Sequence, residues 1–301
     1  MGYGLKKLSL ALSTVVIAYL LMYSGTKFDP ADVQDKKVLI TGASSGIGEQ
    51  MAYHFAKMGA NLVLTARREH RLKEVVERCK KLSPKPTANH AYIVADMREL
   101  DKTKNVITYS VDSLKGLDIL VLNHARISVS NMWFGSQQNL TDMAMEMDIN
   151  FRSYVQLASH ALPHLLKSKG RIAFVSSTAE KVPVPGMAVY TASKHAIQGF
   201  FGVLRQEMVM RNTGVSVTSC IVGGTRTENV MELFKQKFGE EKLKGLNFAD
   251  PTAVALEIVK ATVARQYEVF TSSDKWSSIL MFLGKISPEF ADQVTLKVLF
   301  E

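Results

Sequence analysis

Thr41-Gly42-Ala43-Ser44-Ser45-Gly46-Ile47-Gly48 follows a short apolar run, Val38–Ile40, and opens a helical pattern, Ile47–Met58. Gly42 permits a tight turn out of a strand, Gly46 lets the backbone approach a ligand, and Gly48 lets the next helix pack against the sheet. The helix start beyond them offers free N–H groups and the positive end of a dipole, which suits a pyrophosphate. A glycine triplet alone also occurs as a bare turn. Bracketed by a strand and a helix near a domain start, it predicts a dinucleotide site.

Beyond this loop, apolar runs recur at Leu62–Leu64, Tyr92–Val94, Ile119–Leu122, Ile172–Val175, Val215–Ile221 and Glu268–Phe270. Helical patterns separate them at Arg71–Leu82, Thr103–Ser113, Leu140–Ser168, Ala192–Met210 and Thr252–Ala264. Unbroken apolar strands between helices predict a parallel sheet covered on both faces. The fold class is therefore α/β: one doubly wound, Rossmann-type domain over residues 31–275. It is preceded by residues 1–30, an apolar segment and linker, and followed by a tail, 276–301, that reads as a dimer arm or a second membrane contact. The stretch 223–250 lacks strand character and is a candidate lid.

Composition narrows the classes. With 301 residues, 47% hydrophobic and 22% charged, the chain is neither disordered nor, at 2 Cys, a disulfide scaffold. The net charge of +9 is concentrated in residues 67–85, but no aromatic residue is interleaved there, so a nucleic-acid partner is not expected. Leu8 to Tyr23 carries no charge and follows Lys6 and Lys7. Sixteen helical residues span about 24 Å, slightly short of a bilayer core, which snorkelling can cover. Bulky Tyr23 at the exit argues for an uncleaved signal anchor over a cleaved signal peptide. The charge bias places the domain across the membrane, in the lumen of the endoplasmic reticulum; cleavage would make the chain secreted. Asn139-Leu140-Thr141 is a glycosylation sequon compatible with that side.

The second strand runs into Thr65-Ala66-Arg67-Arg68. Arginine there offers a planar fork to the 2′-phosphate of NADP, where NAD sites place an acid; the two arginines also suit the start of a solvated basic helix. Asp96 follows the third strand and suits the adenine amino group. Asn123 ends the fourth strand and suits a brace for the glycine loop. A tyrosine with lysine four residues on puts phenol and ammonium on one helical face, which lowers the phenol pKa towards useful acid–base chemistry. Four of the nine tyrosines meet that spacing: Tyr3, Tyr23, Tyr53 and Tyr190. Only Tyr190/Lys194 follows a strand ending in a hydroxyl pair, Ser176-Ser177, at the sheet edge where ligands bind.

Together these residues resemble the short-chain dehydrogenase/reductase superfamily over residues 36–271. The match is carried by the glycine loop, Asn123-His124-Ala125, Asn150, Ser177 and Tyr190-Thr191-Ala192-Ser193-Lys194. Within it the chain is similar to the 11β-hydroxysteroid dehydrogenase type 1 group and its 1-like members, through Phe28-Asp29-Pro30, MAYHFAKMGA at 51–60, Leu122-Asn123-His124, Ser153-Tyr154-Val155 and Gly199-Phe200-Phe201. The resemblance implies NADP-dependent interconversion of a hydroxyl and a ketone on a steroid or similar lipid, in a homodimer. Tyr190 would exchange the proton and Ser177 would hold the substrate oxygen. Lys194 would bind ribose hydroxyls and depress the Tyr190 pKa, and Asn150 would hold a water feeding Lys194. Cofactor contacts would come from Gly42, Ser44, Ser45, Gly46, Ile47, Gly48, Arg67, Arg68, Asp96, Met97, Asn123, His124, Ala125, Gly223 and Thr227, with Tyr190 and Lys194.

Three departures stand out. Arg126 replaces the family's usual Gly and threatens to crowd the loop. Ser45 replaces a second basic contact, leaving NADP preference on Arg67. Val222-Gly223 replaces Pro-Gly. Met187, Val189, Met231 and Phe234 are candidates for an apolar substrate pocket or for simple core filling. His124 and His195 lack carboxylate partners at ligand spacing, so no metal is expected. The alternatives to the steroid reading are a reductase of other lipid or xenobiotic carbonyls, and a catalytically idle cofactor-binding or scaffold protein.

Overall fold

The computed structural model describes residues 27–128, 132–245, 247–271 and 287–300. The apolar segment Leu8–Tyr23 lies outside the described residues, as does most of the tail. Among the described residues no helix is long and apolar enough to cross a membrane.

Seven parallel strands form one sheet: β1 (Lys37–Thr41), β2 (Asn61–Ala66), β3 (His90–Val94), β4 (Ile119–Leu122), β5 (Arg171–Ser177), β6 (Ser216–Val222) and β7 (Glu268–Thr271). Their spatial order is β3-β2-β1-β4-β5-β6-β7. The order reverses between β1 and β4, which opens a crevice at the carboxyl ends of those two strands. Among the described residues the α-helices are α1 (Gly46–Lys57), α2 (Glu69–Leu82), α3 (Lys102–Leu114), α4 (Gln137–Met147), α5 (Ser153–Ser168), α6 (Ala188–Met210), α7 (Glu228–Gly245), α8 (Pro251–Val263) and α9 (Pro288–Phe300). Alternate side chains of one strand point to opposite faces, so Val38 and Ile40 enter one core and Leu39 the other. The five central strands are buried on both faces, which is why they read as apolar runs rather than as alternation.

Two stretches gain detail. The pattern Leu140–Ser168 is helical throughout but not α-helical throughout: a π-helical turn, Asp148–Arg152, lies between α4 and α5. The extra residue in that turn re-aims the side chains on either side of it. The stretch 223–250 is largely helical, as α7, with a break at Gly239, whose φ of 77° only glycine adopts readily.

Candidate active site

The glycine loop sits in the crevice between β1 and β4. Gly42 has φ +64°, and a Cβ there would lie 2.8 Å from the His124 backbone. A Cβ on Gly48 would collide with the Gly42 carbonyl oxygen and stand 2.6 Å from Asn123 Nδ2. Only glycine lets the helix start pass this close under the loop. Asn123 Nδ2 donates to the carbonyls of Thr41 and Gly42 at 3.1 and 3.2 Å, tying β4 to the loop. Ser45 caps α1 without using its side chain, so the first N–H groups of α1 face the crevice unclaimed. The cradle therefore fits a pyrophosphate, by the shape of its backbone and by its donors.

At the end of β2 it is Arg68, rather than Arg67, whose guanidinium reaches the loop, 3.4 Å from Ser44 Oγ. Arg67 is exposed. Asp96 accepts from Arg98 through its backbone N–H at 3.0 Å and its guanidinium at 2.7 Å. Met97 is buried in the core, leaving only its backbone for a ligand. Ala125 and Ile47 flank the crevice by sequence. Thr227, beyond Gly223 and β6, packs over Gly46, whose Cβ would lie 2.9 Å from its methyl.

His124 is buried and fully engaged. Its Nδ1 pairs with Thr41 Oγ1 at 2.8 Å and its Nε2 with Ser153 Oγ at 2.7 Å. Burial, aided by Lys194, pushes its pKa down to about 3, so it is a neutral hydrogen-bonding post. Exposed His195 bonds the Thr191 carbonyl at 2.9 Å, away from the crevice.

The start of α6 brings Tyr190 and Lys194 to the carboxyl end of β5, beside Ser177. Tyr190 is 6% exposed and Lys194 1%. Lys194 Nζ donates to the Val175 carbonyl at 3.0 Å and lies 5.5 Å from the Tyr190 ring centre and 5.7 Å from that of Tyr154. The lowered phenol pKa expected from Lys194 meets a stronger opposing effect. Burial pushes Tyr190 up to about 12, against a hydrogen bond with Ser177 that lowers it, and Glu146 raises it further. Burial also brings Lys194 down to about 8, against the carboxylates of Glu180 and Glu146.

Asn150, wholly buried in the π-helical turn, holds the backbone of Arg126 with its side chain. Its Oδ1 accepts from Arg126 N–H at 2.9 Å and its Nδ2 donates to the Arg126 carbonyl at 2.8 Å. Arg126 does not crowd the loop. Its guanidinium turns towards α4, meeting Asp142 at 3.1 Å and Met145 Sδ at 2.9 Å. Thr41, Glu146, Tyr154 and Ser193 were not singled out for roles in the sequence. Thr41, Tyr154 and Ser193 lie within the quoted motifs, but their burial and partners depend on tertiary packing, and no motif marks Glu146.

A cavity of about 420 Å³ opens beside this turn of α6, lined by Trp133, Pro183, Val184, Ala188, Thr191 and Leu296 among others. Of the four apolar residues expected to line a pocket, Met231 borders a different cavity beside Arg68, and Phe234 packs edge-on against Phe248 at 5.5 Å.

A glycine cradle at the switch point of a parallel sheet, with a Ser–Tyr–Lys cluster one strand away, defines a dinucleotide-binding fold that carries acid–base chemistry. The chain belongs to the short chain dehydrogenase family, whose model matches residues 36–237. It is 41% identical over 270 residues to a hydroxysteroid 11-beta-dehydrogenase 1-like protein of Xenopus tropicalis, covering 90% of this chain and 89% of that one. To the protein of the same description from Gallus gallus it is 43% identical over 246 residues, 81% and 80% of the two chains. A short chain dehydrogenase from Burkholderia cenocepacia, solved in complex with NADP, shares the fold at a TM-score of 0.70 and 24% identity, covering 80% of this chain and 97% of that one.

Proposed function

We propose that this dehydrogenase uses NADP(H) to interconvert a hydroxyl and a ketone on a steroid or similar lipid. The observation that carries the reading is the buried Tyr190–Lys194 pair, with Ser177 beside it, at the edge of the glycine crevice. The cofactor, when bound, supplies or accepts the hydride at the reacting carbon. Tyr190 donates its hydroxyl proton to the substrate oxygen on reduction and takes it back on oxidation. Ser177 donates a hydrogen bond to that oxygen and steadies its developing charge. Lys194 places an ammonium beside the phenol and favours its ionised form. Asn150 holds the loop after β4 against the π-helical turn, and so fixes the wall facing α6. Arg68, at the rim by Ser44, is the group best placed for a 2′-phosphate. The cavity beside α6 has the size and apolar lining for a rigid lipid-sized molecule.

The relatives' description supports a hydroxysteroid as substrate. The test is NADPH oxidation across a panel of ketosteroids and other lipid and xenobiotic ketones. Tyr190→Phe is expected to lower turnover by about 10²–10⁴-fold while leaving NADPH affinity within a few fold. Turnover that survives this substitution would remove Tyr190 from its role. NADPH binding without turnover on any carbonyl would leave an idle binding protein.

The reading extends to an anchored, lumenal domain. Residues 28–35 pack at the amino edge of the sheet, where the Asp35 N–H bonds the Gly59 carbonyl at 3.0 Å. An anchor at 8–23 would thus tether the domain by the edge away from the crevice. Protease treatment of sealed microsomes should spare the domain until detergent is added; digestion without detergent would reverse the orientation.

A further inference from the structure

Glu146 is a buried acid in a helix that buries nothing else. Every other residue of α4 is at least partly exposed, and the side chain it hides completely ends in a carboxyl group. Hiding a charge is less favourable than hiding an apolar side chain of similar size. Its Oε1 accepts from the Ser128 backbone N–H at 3.2 Å and lies 3.5 Å from Asn150 Nδ2, one helical turn further on. Its Oε2 is equally buried and has no hydrogen-bond partner. Asn150 Nδ2 in turn donates to Ser193 Oγ at 3.1 Å, and that hydroxyl donates to the Tyr190 carbonyl at 2.7 Å. The carboxyl group is therefore linked, through Asn150 and Ser193, to the turn of α6 that presents Tyr190 and Lys194.

We propose that Glu146 is a positioning residue of the active site, whose charge sets how readily the Tyr190–Lys194 pair gains and loses protons. This rests on the reading of Tyr190 as proton donor. The charged and titratable groups around Glu146 are Arg126 from the loop after β4, Asp142 on its own helix, and Tyr190 and Lys194 on α6. Glu180, in the turn after β5, is the second acid acting on Lys194. Arg126 is already paired with Asp142 at 3.1 Å, which leaves Glu146 as the acid of α4 whose charge reaches the pair. An anion here opposes the phenolate and favours the ammonium, so it raises the pKa of both groups. Burial pushes the Glu146 carboxyl above the usual carboxylate range, while Ser128 and Arg126 hold it down. The tetrad expected from the sequence does not include this acid.

Glu146→Gln removes the charge and keeps the size and the acceptor facing Asn150. The full chain, without added substrate, is titrated by NMR of ¹⁵N-labelled lysine side chains. Tyrosinate absorbance is compared with and without an added Tyr190→Phe substitution. Both Lys194 and Tyr190 are expected to titrate lower by about 0.5 pH unit or more in the Gln variant, with the melting temperature changed little. Unmoved titrations would overturn the proposal and leave Glu146 as packing, whatever the melting temperature does. Should the Gln variant fail to fold, Glu146→Met, which replaces the charge by an apolar chain, carries the same test. The two ideas fail separately. Unshifted titrations remove only the role of Glu146, whereas turnover surviving Tyr190→Phe removes the role of Tyr190.

Discussion

At the scale of single residues, burial decides which groups carry charge. His124 and His90 are both held neutral by burial, with pKa values pushed down to about 3 and about 4. Lys80 adds to the effect at His90, and neither ring nitrogen of His90 has a hydrogen-bond partner. Both folded values lie below the ordinary histidine value of about 6.5, so acid favours the unfolded chain. The stability they contribute is complete above pH 6.5. It falls by roughly 1.4 kcal/mol per pH unit for each histidine as the pH drops towards the folded values. Urea unfolding at pH 7.5 and pH 5 should show this loss, and His90→Leu should flatten the dependence by about half of the histidine share. An unchanged slope would mean that His90 protonates in the fold. Residue chemistry was only partly legible in the sequence. Tyr190 and Lys194 could be picked from four equally spaced pairs because a strand end with hydroxyls precedes them. Glu146 could not, since an acid in a mostly polar helix looks like surface until the packing of α4 against α6 is known. The motif points to Arg67 for the 2′-phosphate, whereas in the fold it is the Arg68 guanidinium that reaches Ser44 in the loop.

At the scale of elements, the strands were the most legible part, because burial on both faces writes the five central ones as apolar runs. Helices were legible in place but not in winding. Asp148-Ile149-Asn150-Phe151-Arg152 contains neither glycine nor proline, so nothing in it announces a π-helical turn. Pro163, which does look like a breaker, sits inside α5. Helix ends follow the ordinary capping rules more closely. Asp250 caps α8, its Oδ2 accepting from the Ala253 N–H at 3.1 Å, with Pro251 at the first helical position. Asp250→Ala should therefore lower stability by about 1 kcal/mol, read as a shifted urea midpoint with an unchanged m-value. Since α8 packs on α1, whose start forms the glycine cradle, the same variant should also weaken NADPH binding slightly. A larger effect on binding than on stability would show that the cap acts on the cradle rather than on the helix.

At the scale of the whole molecule, the sheet divides two apolar cores, and the crevice lies at the carboxyl ends of β1 and β4, between the two halves of the strand order. The loop that closes it draws on both halves: Gly42 and Gly48 from the first, Asn123 and His124 from the second. A ligand seated there touches elements from both and so resists global unfolding. By mass action, NADPH at a hundred times its dissociation constant should add about 2.7 kcal/mol. For a domain of this size each kcal/mol raises the melting temperature by about 2–4 °C, so the shift should be about 5–10 °C. NADH at the same concentration should give a smaller shift, because it lacks the 2′-phosphate that we propose Arg68, beside Ser44, binds. Arg68→Ala should erase most of the difference between the two, while Arg67→Ala, at an exposed position, should keep most of it. Removing Arg68 also frees Glu228, 4.0 Å away on α7, so a general loss of stability would lower both curves together. Selectivity is therefore read from the gap between NADPH and NADH, not from either shift alone. A gap that persists in Arg68→Ala and closes in Arg67→Ala would return the 2′-phosphate to Arg67, as the sequence first suggested.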